Sequence, residues 1–177
     1  TRLFTDLVTK ELLESAETGV WPDALWQVVE ENGLTLPLVA EEKGGAGGSW
    51  ADAFVVARAA GRHAVPLPLA ETIVGSWLLS VSGLDVPSGP LTIVPVHRDE
   101  KLRLARDGGG WRLSGTAARV PWGRAAGHVG VVTEAEGRGP VPPPAPRAAP
   151  NNTGHDNAAL APGTPSFARA PAHPQPA

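Results

Sequence analysis

Leu3, Phe4, Leu7, Val8, Leu12, Leu13 and Ala16 recur at three- and four-residue spacing. This pattern predicts an amphipathic helix over about 5–16. Pro22 suits a first helical position, with Leu25, Trp26, Val28 and Val29 on one face and Gly33 as the stop. Ser49 followed by Asp52 has the form of a capping box and opens a third helix over about 50–61. Leu69, Ile73, Val74, Trp77, Leu78 and Val81 mark a fourth, which Pro66 and Pro68 introduce and Gly83 ends. Helices follow one another so closely that their apolar stripes must bury against each other, as a bundle.

The period changes after Pro87-Ser88-Gly89-Pro90. Short runs at 91–96, 101–106, 111–115 and 128–133 read as strands, separated by Asp107-Gly-Gly-Gly110 and Pro121-Trp-Gly123. Four such strands form only part of a sheet, with open edges. The expected fold is therefore α+β: an N-terminal helical bundle, an incomplete antiparallel sheet or barrel segment, and a tail. The boundaries fall at 1–86, 87–137 and 138–177.

Composition explains why the tail is set apart. Residues 138–177 hold 11 of the 19 Pro and a single acid, Asp156, whereas all six Trp lie before residue 123. A chain so rich in Pro and Ala has no periodic apolar face to offset its ordering entropy, so disorder is expected there. The abrupt shift after Gly137 is also what a change of reading frame in a GC-rich gene produces, and both origins stay open.

Charge and residue types narrow the chemistry. Net charge is −3, which argues against a general nucleic-acid binder. The absence of Cys excludes disulfides, thiolate metal sites and cysteine nucleophiles. No apolar run is long enough to span a bilayer and no leader pattern opens the chain, so a cytoplasmic protein is expected. His63, His97, His128, His155 and His173 lack metal-ligand spacing, and no metal site is expected. The glycine cluster from Lys43 to Ser49 precedes a helix but fits neither dinucleotide nor Walker pattern, and Glu41 and Glu42 beside it would repel phosphate.

Four segments, taken in order, resemble the N-terminal half of acyl-CoA dehydrogenases. They are Trp26-Gln-Val-Val-Glu-Glu-Asn-Gly-Leu34, the run Leu36–Ser49, the run Ala60–Thr72, and Gly110-Trp-Arg-Leu-Ser-Gly115 followed by Val120-Pro-Trp and the apolar strand near 129–132. The resemblance covers about 1–137. It implies an FAD enzyme built of a helical bundle, a β-domain and a C-terminal bundle. In that family a glutamate removes the acyl-CoA α-proton while the β-hydride passes to the flavin, whose electrons leave to an electron-transfer flavoprotein. Homo- or hetero-oligomers with a homologue are implied as well, and the glycine loop is implied to line the acyl pocket.

Carried over residue by residue, the flavin-contacting positions are Val120, Pro121 and Trp122. The aromatic and hydroxyl side chains of the family's strand are replaced there, with Trp122 the nearest substitute. The family's "TEPxxGS" flavin motif has no counterpart near 91–107. The C-terminal bundle, which carries the glutamate base, has no counterpart either, so no residue takes the base role and the chain alone is expected to be inactive. Two alternatives follow: a non-catalytic partner subunit of a mixed oligomer, or a helical interaction module.

Overall fold

The computed structural model describes residues 2–94, 102–107, 110–132 and 166–169. Five α-helices come first: α1 (Arg2–Leu7), α2 (Lys10–Glu17), α3 (Asp23–Glu31), α4 (Trp50–Arg62) and α5 (Leu69–Val81). Strands β1 (Leu91–Ile93), β2 (Arg103–Asp107), β3 (Gly110–Ser114), β4 (His128–Val131) and β5 (Ser166–Arg169) follow. The α+β architecture expected from the pattern is present. No helix among the described residues is long and apolar enough to cross a membrane.

The helix expected over 5–16 is two helices. Thr9 adopts extended backbone, and its hydroxyl accepts the Leu12 amide at 3.2 Å, capping α2. A hydroxyl this close to the backbone competes for its donors, so a residue that fits the polar side of the stripe also separates the two helices. Pro22 stands one place earlier than expected, as the N-cap of α3. Asn32 caps the far end and Gly33 follows at φ +67°, the left-handed position where glycine is unstrained. At α4 the capping box is complete: the Ser49 amide and hydroxyl both donate to the Asp52 carboxylate, at 2.8 and 2.7 Å.

Phe4, Leu25, Trp26, Val29, Ala53, Leu67, Leu69 and Ile73 form the core of the bundle. Burying a side chain of this size contributes roughly 1.5–3 kcal/mol. The α5 helix is buried on two sides: Leu69 and Ile73 face the bundle core, while Thr72 and Gly75 meet β1.

Two sheets result, one ordered β1-β4-β5 and the other the β2–β3 hairpin. The hairpin pairs Arg103 with Ser114 through Asp107 with Gly110. The expectation of an incomplete antiparallel sheet or barrel segment is corrected at β1, which pairs parallel with β4, Leu91 opposite His128 and Ile93 opposite Gly130. Parallel strands need a long crossover, and the chain between β1 and β4 supplies one. Within 138–177, β5 pairs antiparallel with β4, Val131 opposite Ser166 and His128 opposite Arg169. The rest of 138–177 lies outside the described residues, as do 95–101.

Candidate functional site

The segment between β3 and β4 carries the positions that the sequence singles out. Arg119 and Trp122 both sit at positive φ, 53° and 56°. Side chains other than Gly and Asn rarely adopt this region, and each such residue costs about 1–2 kcal/mol. Strain of this kind persists only where the surroundings over-determine it. Here the Gly123 amide donates to the Val120 carbonyl, and the Ala125 and Ala126 amides both donate to the Trp122 carbonyl, each at 2.9 Å. From the sheet, the Thr92 hydroxyl donates to the Pro121 carbonyl at 2.6 Å.

This turn forms one wall of a cavity of about 770 Å³, a volume in the range of small-molecule and cofactor sites. Leu13, Val20 and Trp21 from the α2–α3 region face Val120 and Trp122 across it. The Trp21 and Trp122 rings meet edge to face, with centroids 6.5 Å apart and planes at 81°. Trp21 in turn packs on Trp26, at 5.9 Å. The Trp26 indole donates to Glu30, and the other oxygen of that carboxylate accepts the Gly89 amide at 2.7 Å. The aromatic wall is thus anchored in the helical core and tied to the chain leading into β1.

Two charged residues line the cavity, Glu17 and Arg124, both exposed. Among the described residues, the backbone amides of Val120, Trp122 and Arg124 have no hydrogen-bond partner. The arrangement is a largely apolar, aromatic-walled space whose lining suits a planar ring system. Carboxyls with lowered pKa lie elsewhere. Glu11 is lowered by a backbone hydrogen bond and then by Thr9, and Asp52 by the Ser49 hydroxyl and then the Ser49 amide.

Val120 and Trp122 therefore line the cavity together, while Pro121 does not, its carbonyl being turned to Thr92. Sequence reasoning missed Trp21 and Arg124. The sole signal for Trp21 was an aromatic residue before a helix-starting proline, which reads equally well as a core anchor.

The glycine loop is no anion cradle. Gly45, Ala46, Gly47 and Gly48 all spend their amides on carbonyls of 36–40. Lys43 reaches across to the Ser80 carbonyl at 2.6 Å, near the C-terminal end of α5. Glu41 and Glu42 are exposed, and no metal-binding group of three ligands occurs among the described residues.

Residues 2–84 match the family model described as acyl-CoA dehydrogenase, N-terminal domain. Over these residues the chain is similar to the N-terminal domain of the acyl-CoA dehydrogenases. Among solved structures, a variant of the Tcur3481-Tcur3483 steroid ACAD is similar at 29% identity and a TM-score of 0.65, over 76% of this chain and 42% of that one. The ChsE4-ChsE5 complex from Mycobacterium tuberculosis shares the fold at 23% identity and a TM-score of 0.60, over 76% and 42%. KijD3, solved in complex with FMN and a dTDP-linked amino-keto sugar, shares it at 19% identity and a TM-score of 0.54, over 77% and 38%. The chain thus spans about two fifths of the length of these relatives. No curated protein matches it.

Proposed function

We propose that the chain is the helical domain and the first part of the β-domain of a cytoplasmic, FAD-dependent acyl-CoA dehydrogenase. Residues 1–86 form the first unit, 87–137 belong to the second, and 138–177 are a low-complexity extension. The observation that carries this reading is the aromatic-walled cavity, one wall of which is the strained turn bearing Val120 and Trp122. Val120, Pro121 and Trp122 form the flavin-binding segment, Val120 and Trp122 lining the cavity and Pro121 fixing the turn between them through its carbonyl bond to Thr92. The exposed Arg124 offers its guanidinium to an anionic part of the cofactor. A flavin held there supplies the two-electron acceptor for dehydrogenation of an acyl-CoA, with an electron-transfer flavoprotein as the onward acceptor.

Of the residues lining the cavity, Glu17 is the sole carboxylate, and it is exposed at the end of α2. A base there has no apolar enclosure, so the 177-residue chain by itself is expected not to turn over acyl-CoA. Equilibrium dialysis of FAD against the full chain and its Trp122→Ala variant tests the reading. FAD retained by the wild type and weakened at least about tenfold by the variant (a loss of about 1.4 kcal/mol) supports it. No retention by the wild type overturns it.

A second reading, a partner subunit in a mixed oligomer, draws on a different surface. Trp50, Phe54 and Val81 on α4 and α5 are 54%, 64% and 62% exposed, and Trp50 packs edge-on against Trp77 at 5.0 Å. Contiguous exposed apolar groups mark interaction surfaces. The relative solved as the ChsE4-ChsE5 complex makes a homologous subunit a fitting partner. Co-purification with a complete homologue, lost in Phe54→Glu, supports this reading; its failure in the wild type counts against it.

A further inference from the structure

Thr92 is fully buried in the middle of β1, where an apolar β-branched residue would fill the same space without a hydroxyl to satisfy. The hydroxyl has one described partner, the Pro121 carbonyl at 2.6 Å. That carbonyl belongs to the peptide leading into Trp122, the residue held at φ 56°. The other hydrogen bonds of the turn, from Gly123 to Val120 and from Ala125 and Ala126 to Trp122, are internal to it. They fix its shape without fixing where it stands.

The strand that carries Thr92 is itself immobilised by its neighbour. Leu91 is bonded through both its amide and its carbonyl to the Thr72 hydroxyl of α5. A chain of hydrogen bonds therefore runs from α5 through Leu91 and Thr92 to the peptide preceding Trp122. We infer that Thr92 is a positioning residue: through the Pro121 carbonyl, its hydroxyl sets the orientation in which the Trp122 amide and indole face the cavity. The link to cofactor affinity rests on the flavin reading above, whereas the link to Trp122 does not.

The test uses the full chain as Thr92→Val and Thr92→Ser, with three readouts: thermal melting, the near-ultraviolet circular dichroism of the coupled Trp21–Trp122 pair, and FAD affinity. Thr92→Val is expected to alter the tryptophan signal and weaken FAD binding about tenfold, in the range that loss of one buried hydrogen bond produces. Thr92→Ser, which keeps the hydroxyl, is expected to restore both. A Thr92→Val chain that melts lower but keeps the tryptophan signal has a merely structural Thr92, and the inference falls. It also falls if Thr92→Ser loses the signal, an outcome that stays readable if the valine variant does not fold. Wild-type chain that binds no FAD overturns the flavin reading, while the tryptophan signal still decides the role of Thr92.

Discussion

The Thr72 hydroxyl lies between the amide and the carbonyl of Leu91, accepting from the first at 3.1 Å and donating to the second at 3.0 Å. One side-chain oxygen thereby satisfies both backbone groups of a buried residue nineteen positions away. It also fastens the last helix of the bundle to the first strand of the sheet. Gly75, one turn further along α5, completes the joint, because a Cβ there would overlap the Leu91 side chain.

Thr72→Val keeps the shape of the side chain and removes both bonds. Each buried backbone group left without a partner costs about 1–3 kcal/mol, so a loss of about 2–4 kcal/mol is expected by urea denaturation. Thr72→Ser retains the hydroxyl and should recover most of it. A valine variant as stable as wild type would show that the bonds do not hold α5 to β1.

Glycines at Gly45 and Gly61 should respond with opposite signs. A Cβ on Gly45 would overlap the Val39 carbonyl, which is backbone and cannot swing aside. Gly45→Ala is therefore expected to cost about 1–3 kcal/mol. Gly61 lies within α4 with nothing within 4 Å of a would-be Cβ. Alanine there is expected to stabilise by roughly 0.5–1 kcal/mol. Thermal melts of the two variants read the contrast directly.

Much of the helical domain was legible because its signals are local. The Ser49–Asp52 box and the apolar spacing of α5 each state a boundary within a few residues, and both fall where the pattern places them. The break at Thr9 was hidden because Thr fits the polar side of an amphipathic stripe as well as it fits a cap. The parallel pairing of β1 with β4 was not legible, since strand direction depends on a crossover and not on the strands' own composition. Of the residues lining the cavity, Val120 and Trp122 were singled out through the family resemblance, whereas Trp21 was not. Its partnership with Trp122 spans about a hundred residues, and periodicity carries no information over that distance.

The capping box makes α4 sensitive to acid. The Ser49 hydroxyl, and then the Ser49 amide, hold Asp52 below the ordinary aspartate value of 3.8. A carboxyl with a lowered folded-state pKa contributes stability that is fully present above its unfolded value and lost as pH falls through the folded one. Stability should therefore decline below about pH 4, in a component that Asp52→Asn removes. Urea midpoints at pH 5 and pH 3 for both chains check this. An equal decline in the two would assign the acid sensitivity to other groups.

The β4 edge gives a prediction for the tail. Val94 donates its amide to the Gly130 carbonyl at 2.8 Å, so Gly130 faces β1. Backbone groups alternate sides along a strand, so Val129 and Val131 face β5, opposite Ala168 and Ser166. An unpaired edge is a template for pairing with another chain. Ending the chain after residue 165 should therefore speed hydrogen exchange at the Val129 and Val131 amides while leaving Gly130 comparatively protected. It should also raise self-association in sedimentation velocity. The alternation is the discriminating part: uniform deprotection of β4 would mean that the sheet itself had come apart, and unchanged exchange at Val129 and Val131 would mean that residues 166–169 do not cover the edge in solution.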